Sequence, residues 1–187
     1  MPALTPLMPA QPVPDLAVAT TDGGTWRLSE RTPKNFSLIV VYRGLHCPIC
    51  KKYLLQFQDS LGDFADRGVD LLVLSSDDEA RAKKSVADWG LGALTVGYGL
   101  SHDDARRWGL YLSKGRPQPD PAKIAEPAIF AEPGLFLVRP DGTLFFGSVQ
   151  TMPFTRPPVA ELLKGIDHVL ANDYPPRGTV VDHTKAA

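Results

Sequence analysis

Cys47 and Cys50 are the only cysteines among 187 residues, and they stand together as Cys-Pro-Ile-Cys. Two thiols three positions apart cannot staple distant parts of a chain, so the spacing points to redox chemistry or to half of a metal site. At a helix N-terminus a thiolate is stabilised by unpaired backbone N–H groups and by the aligned peptide dipoles. Cys-X-X-Cys thiols there can titrate anywhere from roughly 3.5 to 7.5 instead of ~8.5. Pro48 suits the first helical turn, where its missing N–H would have been unpaired anyway. Arg43, Lys51 and Lys52 add positive charge nearby. His46 either tunes the adjacent thiol or is a plain polar neighbour. One turn separates the sulfurs, so either can attack the other to release a mixed disulfide. Two buried structural thiols are the bland alternative.

A metal reading needs two more ligands. The histidines stand at positions 46, 102, 168 and 183 without paired spacing, so neither a metal nor any other cofactor is expected. His102 is placed near the start of a short helix and His168 on the solvent side of the last one. Asp77, Asp78, Asp103 and Asp104 read as acids at helix starts. Trp89 and Trp108 read as core.

The elements that must carry the thiols are legible around them. The run Phe36 to Tyr42 predicts a strand covered on both faces. The cysteines follow it directly. Leu54, Phe57, Leu61 and Phe64 then recur at helical spacing, with Gly68 as the stop. Val69 to Leu74 predicts a second buried strand. The turn Ser75-Ser76-Asp77-Asp78 precedes a helix ending at Gly90. A strand around Leu94 to Val96 and a short helix around Asp103 to Trp108 come next. Asp22-Gly23-Gly24 and Pro140-Asp141-Gly142 mark hairpins, the second joining Leu135–Val138 to Leu144–Val149. Val159, Leu162, Leu163, Ile166, Val169 and Leu170 mark a closing amphipathic helix. Strands alternating with helices predict an α/β sandwich with a mixed central sheet, and place Cys47 at the carboxyl end of a strand.

Composition narrows the class. Apolar residues are 43% and charged residues 22%, with a net charge of -1, which argues against disorder and against a basic nucleic-acid-binding field. No apolar run reaches the ~20 residues of a membrane span. The first basic residue is Arg27 and prolines interrupt the start, so no secretory signal is read and a cytoplasmic protein is expected. Eighteen prolines concentrate at the two ends and spare residues 49–116. They divide the chain into a surface lead (1–14), one domain (15–171) with a Pro-rich insertion at 113–131, and a loose tail (172–187). A connection as long as 113–128 is usually functional or mobile.

Four segments, "PVPDLAVATTDGGTWRLSE", "SLIVVYRGLHCPICKKYL", "VDLLVLSSDDEARAKKSVADWGL" and "GLFLVRPDGTLFFGSV", resemble the thioredoxin-fold redoxins in order. The likeness runs from about Pro12 to Leu170. It is greatest to the peroxiredoxin-like branch, the alkyl hydroperoxide reductase/thiol-specific antioxidant family. The resemblance implies a thioredoxin-like (peroxiredoxin-like) fold, a mixed central β-sheet flanked by helices. Laid on that family's Pro-x-x-x-Thr/Ser-x-x-Cys motif, Arg43 stands at the proline, Cys47 at the threonine and Cys50 at the peroxidatic cysteine. The family's arginine before the Gly-Leu-Phe strand is replaced by Pro133. These departures are more like thioredoxin, in which the first cysteine attacks, the second resolves, and a cis proline (here Pro133, with Pro127 as a rival) faces the disulfide.

The reading is therefore an antioxidant-type oxidoreductase that cycles a Cys47–Cys50 disulfide, with thiol–disulfide exchange ahead of peroxide reduction. In the peroxidase alternative Cys50 becomes the sulfenic acid and Cys47 condenses with it. A non-catalytic redox sensor or binding module, with 113–128 as contact surface or flap, is the third reading. Expected partners are a thioredoxin- or glutathione-type thiol reductant and a disulfide or peroxide substrate. Oligomeric state is not legible, though a dimer is compatible.

Overall fold

The protein is described here from a computed structural model covering residues 5–117 and 120–180; Pro2, Pro119 and His183 lie outside the described residues. A seven-stranded mixed sheet runs in the order β2-β1-β5-β4-β3-β8-β9. Its centre is β3 (Phe36–Val41), parallel to β4 (Val69–Leu74) and antiparallel to β8 (Gly134–Val138). β5 (Thr95–Tyr98) continues the parallel part. The hairpin of β1 (Ala17–Thr20) and β2 (Thr25–Arg27) closes one edge, and β9 (Leu144–Val149) closes the other.

Every residue of β3 is buried because the sheet is covered on both sides. Side chains alternate along a strand. Leu38 and Val40 therefore join a core with Leu54, Phe57, Phe64 and Ile166, while Ile39 and Val41 join a second core with Trp26, Trp108 and Phe136. The first core is closed by α1 (Pro48–Asp59), α2 (Leu61–Asp66) and α5 (Val159–Asn172). α3 (Glu79–Trp89) adds Trp89 to it, and α4 (His102–Arg107) adds Ala105 to the second core. Both Trp89 and Trp108 are core residues, His102 opens α4, and His168 is exposed.

The structure departs from the sequence reading at three points. The single helix expected up to Gly68 is two helices. Ser60 leaves helical geometry (φ −101°, ψ 12°) between them, in keeping with the weak helix preference of the Asp59-Ser60 pair. Phe57 and Phe64 still stack, with ring centroids 5.7 Å apart. The described part of the Pro-rich lead lies on the surface and is tied down there. Ala10 N–H donates to the Leu144 carbonyl and Val13 N–H to that of Gly142, and Leu7 and Val13 pack on the second core.

The ends of the Pro-rich insertion carry an unforeseen ribbon, β6 (Leu112–Lys114) against β7 (Ile129–Ala131). Finally, the expected cis bond before Pro133 is trans, as is that before Pro127, since the described residues contain no cis peptide. Glu132 N–H donates to the Tyr111 carbonyl, which extends the ribbon's ladder to the residue before Pro133 and lets the chain run extended from β7 into β8.

Phe136 is 1% exposed and meets Trp108 edge-on at 5.1 Å. Phe136→Ala is expected to cost about 3–5 kcal/mol, read as a lower urea midpoint with an unchanged slope.

Candidate active site

The chain leaves β3 at Val41 and turns into α1 through residues 42–47. Gly44 sits at φ +127°, and a Cβ there would lie 2.6 Å from Asp77 Oδ2, so both its backbone angle and its surroundings require glycine. Asp77 itself has no exposed side-chain surface. Its Oδ2 accepts from the Leu45 N–H at 2.7 Å and its Oδ1 from Arg81 Nε at 2.8 Å. The carboxylate thus ties the thiol loop to the β4–α3 turn. Read from sequence as a helix-start acid, Asp77 is instead the loop's anchor. Asp78 is the residue that caps α3, by accepting from the Arg81 N–H.

Cys47 caps α1 and Pro48 follows in its first turn. Cys47 Sγ accepts from the Cys50 N–H at 3.3 Å, and the Cys50 thiol donates to Cys47 Sγ across 2.7 Å. The two sulfurs are free thiols, 2% and 0% exposed by residue. This contact splits their acidities. Cys47 is lowered to about 6, chiefly by the Cys50 S–H bond, with the Cys50 N–H, Arg156 and Arg43 helping against the cost of burial. Cys50 is pushed well above the ordinary thiol value, first by burial, then by the proton it gives to Cys47 and by the charge that Cys47 carries.

Two arginines supply the positive field, and they come from distant segments of the chain. Arg43 lies over the Phe130 ring at 4.7 Å and pairs with Glu132 at 3.3 Å and Glu126 at 3.5 Å. Arg156 Nη2 donates to Cys50 Sγ at 3.0 Å, and its guanidinium lies over the Tyr53 ring at 5.1 Å. Tyr53 OH holds that strand of chain in place by donating to the Pro157 carbonyl at 2.6 Å. Sequence reasoning missed Arg156, which is 106 residues from Cys50. The one available signal was a cation set against Pro157-Pro158 immediately before the closing helix.

The remaining candidates fall around this centre. His46 packs on Phe130 at 4.7 Å with neither ring nitrogen hydrogen-bonded. Burial, aided by the charge on Arg43, lowers it to about 4, so at neutral pH it adds no cation beside Cys47. Lys51 reaches away, donating to the Asp88 carbonyl at 3.3 Å. Pro133 is buried, and its carbonyl accepts from the Gln150 N–H. The Pro-rich insertion is pinned beside the thiol loop. Glu126 pairs with both Arg43 and Arg116, and Arg81 donates to the Ala125 carbonyl.

The arrangement can hold one thiolate and one thiol in contact, ready to become a disulfide. Because Cys47 loses its proton near 6 when folded and near 9 when free, the reduced protein should gain stability as pH rises from 6 to 9 and lose that gain as pH falls back to 6. Cys47→Ser is expected to flatten that dependence in urea titrations. Iodoacetamide alkylation should show an inflection near 6, and Arg156→Ala should move it upward. Asp77→Ala, which strands the Leu45 N–H, should cost about 1–3 kcal/mol.

Comparison with known proteins bears on the fold and the family. The AhpC/TSA family pattern matches residues 9–146, well over half the chain. Among solved structures, peroxidoxin BcpB from Mycobacterium tuberculosis is similar at TM-score 0.65 and 16% identity, covering 89% of this chain and 98% of its own. AhpC from the same organism gives 0.69 and 16%, covering 90% and 96%. The mitochondrial 2-Cys peroxiredoxin of Plasmodium falciparum gives 0.67 and 19%, covering 94% and 100%. No curated protein sequence matches. Identities this low speak for the fold alone, and the thioredoxin-like sheet with flanking helices is common to all. The family pattern goes further: the chain belongs to the AhpC/TSA family and is a thiol-dependent oxidoreductase.

Proposed function

We propose that the protein is a thiol-dependent peroxidase that closes a Cys47–Cys50 disulfide at each turnover. The observation that carries this is the unequal thiol pair at the α1 N-terminus, found in a chain of the AhpC/TSA family. Family membership favours peroxide reduction over the dithiol exchange read first from the sequence.

The charge distribution supports Cys47 as the attacking sulfur, in place of the Cys50 of the sequence reading. Its thiolate attacks one oxygen of the hydroperoxide, an S–O bond forms as the O–O bond breaks, and the departing alkoxide takes a proton to become an alcohol. Cys47 is left as a sulfenic acid. Cys50 then attacks that sulfur, the S–S bond forms, and hydroxide leaves as water with the proton Cys50 held. Two equivalents of an external thiol reduce the disulfide and are themselves oxidised. Cys50 is the only thiol in contact with Cys47, so the second step needs little movement.

The reverse assignment, with Cys50 attacking first, is favoured by the family motif register and by the Arg156 contact to Cys50 Sγ. Stopped-flow oxidation by hydrogen peroxide separates the two. Wild type should oxidise far faster than free cysteine. Cys50→Ser should keep the fast step and accumulate a dimedone-trappable sulfenic acid, and Cys47→Ser should lose it. Retention by Cys47→Ser would reverse the roles. Wild-type rates no faster than free cysteine would remove the peroxidase reading altogether.

A further inference from the structure

Away from the thiols, α5 does not close fully onto the sheet. Between them lies a hollow of about 270 Å³, walled by Phe36, Phe145, Phe146, Leu162, Ile166 and Val169, and neither cysteine lines it. The three α5 residues recur at helical spacing and form its apolar, sheet-facing side. In the middle of that side stands Gly165, where a Cβ would meet no atom within 4 Å. A glycine inside a helix is less stable there than an alanine. It is usually kept for a positive φ or for a close backbone approach, and Gly165 shows neither. What its missing side chain provides is room.

The charge at the two ends of this hollow is unequal. At one end a second hollow of about 350 Å³ continues it, since Phe36 and Val169 line both. Lys34 and Arg139 stand in the wall of the second, against a single acid, Asp173. The Arg139 guanidinium lies over the Phe145 ring at 5.1 Å and so marks the junction. Neither cation forms an ion pair among the described residues; Asp141, the nearest acid in sequence, spends its carboxylate on Thr143. At the other end Glu161 is already neutralised by Lys164 at 2.8 Å. Together the volumes are of the size of small-molecule sites, ~300–1,000 Å³. From Leu162 to Val169 the trough runs about 10 Å along the helix. An apolar trough of that length with positive charge at one end fits a single apolar chain with an anionic head.

We infer that the hollow between α5 and the β8–β9 hairpin binds a fatty carboxylate. Its chain lies along Gly165 between Phe146 and Ile166, and its carboxylate faces Lys34 and Arg139. The site is one of binding only, with no bond made or broken in it. It goes beyond the peroxidase reading and does not rest on it.

Calorimetric titration of the full chain with decanoate and with 1-decanol tests this. Both should bind, the acid about fivefold more tightly. Lys34→Glu, at an exposed position, should bring the acid down to the level of the alcohol. Gly165→Leu should abolish binding of both and leave the urea midpoint unchanged or higher, because leucine is the better helix former. Gly165→Ala, a smaller intrusion, should weaken both ligands less. Undiminished decanoate binding by Gly165→Leu, equal binding of acid and alcohol by wild type, or no binding of either overturns the inference. So does a wild-type dimer that Gly165→Leu dissociates, which would make a second copy of the chain the occupant. Cosedimentation with phosphatidylglycerol vesicles without binding of free decanoate overturns it too, since the face would then be a membrane surface.

Discussion

The carboxylate of Asp77 is closed off from solvent, yet both its oxygens are used. One holds the Leu45 N–H, and the other holds Arg81 from the first turn of α3. A buried charge is costly unless it is paired and hydrogen-bonded, and here each oxygen has its partner. Everything that makes the thiols unusual is built on this bridge. It fixes the turn between β3 and α1 and so aims the helix start at Cys47. Its close approach to Gly44 leaves room for no other residue there. Arg81, held by the same carboxylate, reaches on to the Ala125 carbonyl and so ties the Pro-rich insertion to the same point. One side chain therefore positions the loop, the helix and the cover.

On that frame the sulfurs share a single proton unequally. Cys47 receives two donors, the Cys50 S–H and N–H, while Cys50 is wholly buried and keeps its proton. Arg43 and Arg156 reinforce the charge from distant segments of the chain, but they are held differently. Arg43 is spent largely on Glu126 and Glu132, which ties it to the insertion. Arg156 has no carboxylate partner among the described residues and so leaves its charge available to the sulfurs.

How far the sequence could be read followed from how local each signal was. The buried β3 run, the Cys47 cap, Pro48 in the first turn, the α3 stop at Gly90 and the 140–142 hairpin each depend on a few neighbouring residues, and each lies where its pattern placed it. The family likeness, built from such segments, was legible for the same reason. Arg156, the Glu126–Arg43 pair and the Asp77 bridge join residues 32 to 106 positions apart. No periodicity or turn chemistry encodes such meetings. The trans bond at Pro133 was missed for a related reason, since the ribbon bond from Glu132 to Tyr111 is a tertiary fact that local preference does not contain. The helix break at Ser60 had a local signal, the Asp59-Ser60 pair, which the periodicity of Leu54, Phe57, Leu61 and Phe64 overrode.

The distance from Cys50 to Arg156 bears on when the chemistry begins. One of the two arginines that act on the sulfurs comes from a segment that the strands and helices around Cys47 do not supply, and Tyr53 can grip Pro157 only after that segment has arrived. A nascent chain that has emerged only through β5 already contains both cysteines, the N–H groups of α1 and Asp77. It still lacks Arg156, and it lacks Glu126 and Glu132 to steady Arg43. Its thiols have the S–H and N–H donors that do most to ionise Cys47, but not the arginine charge that adds to them. The site is therefore complete only when the segment before the last helix has docked.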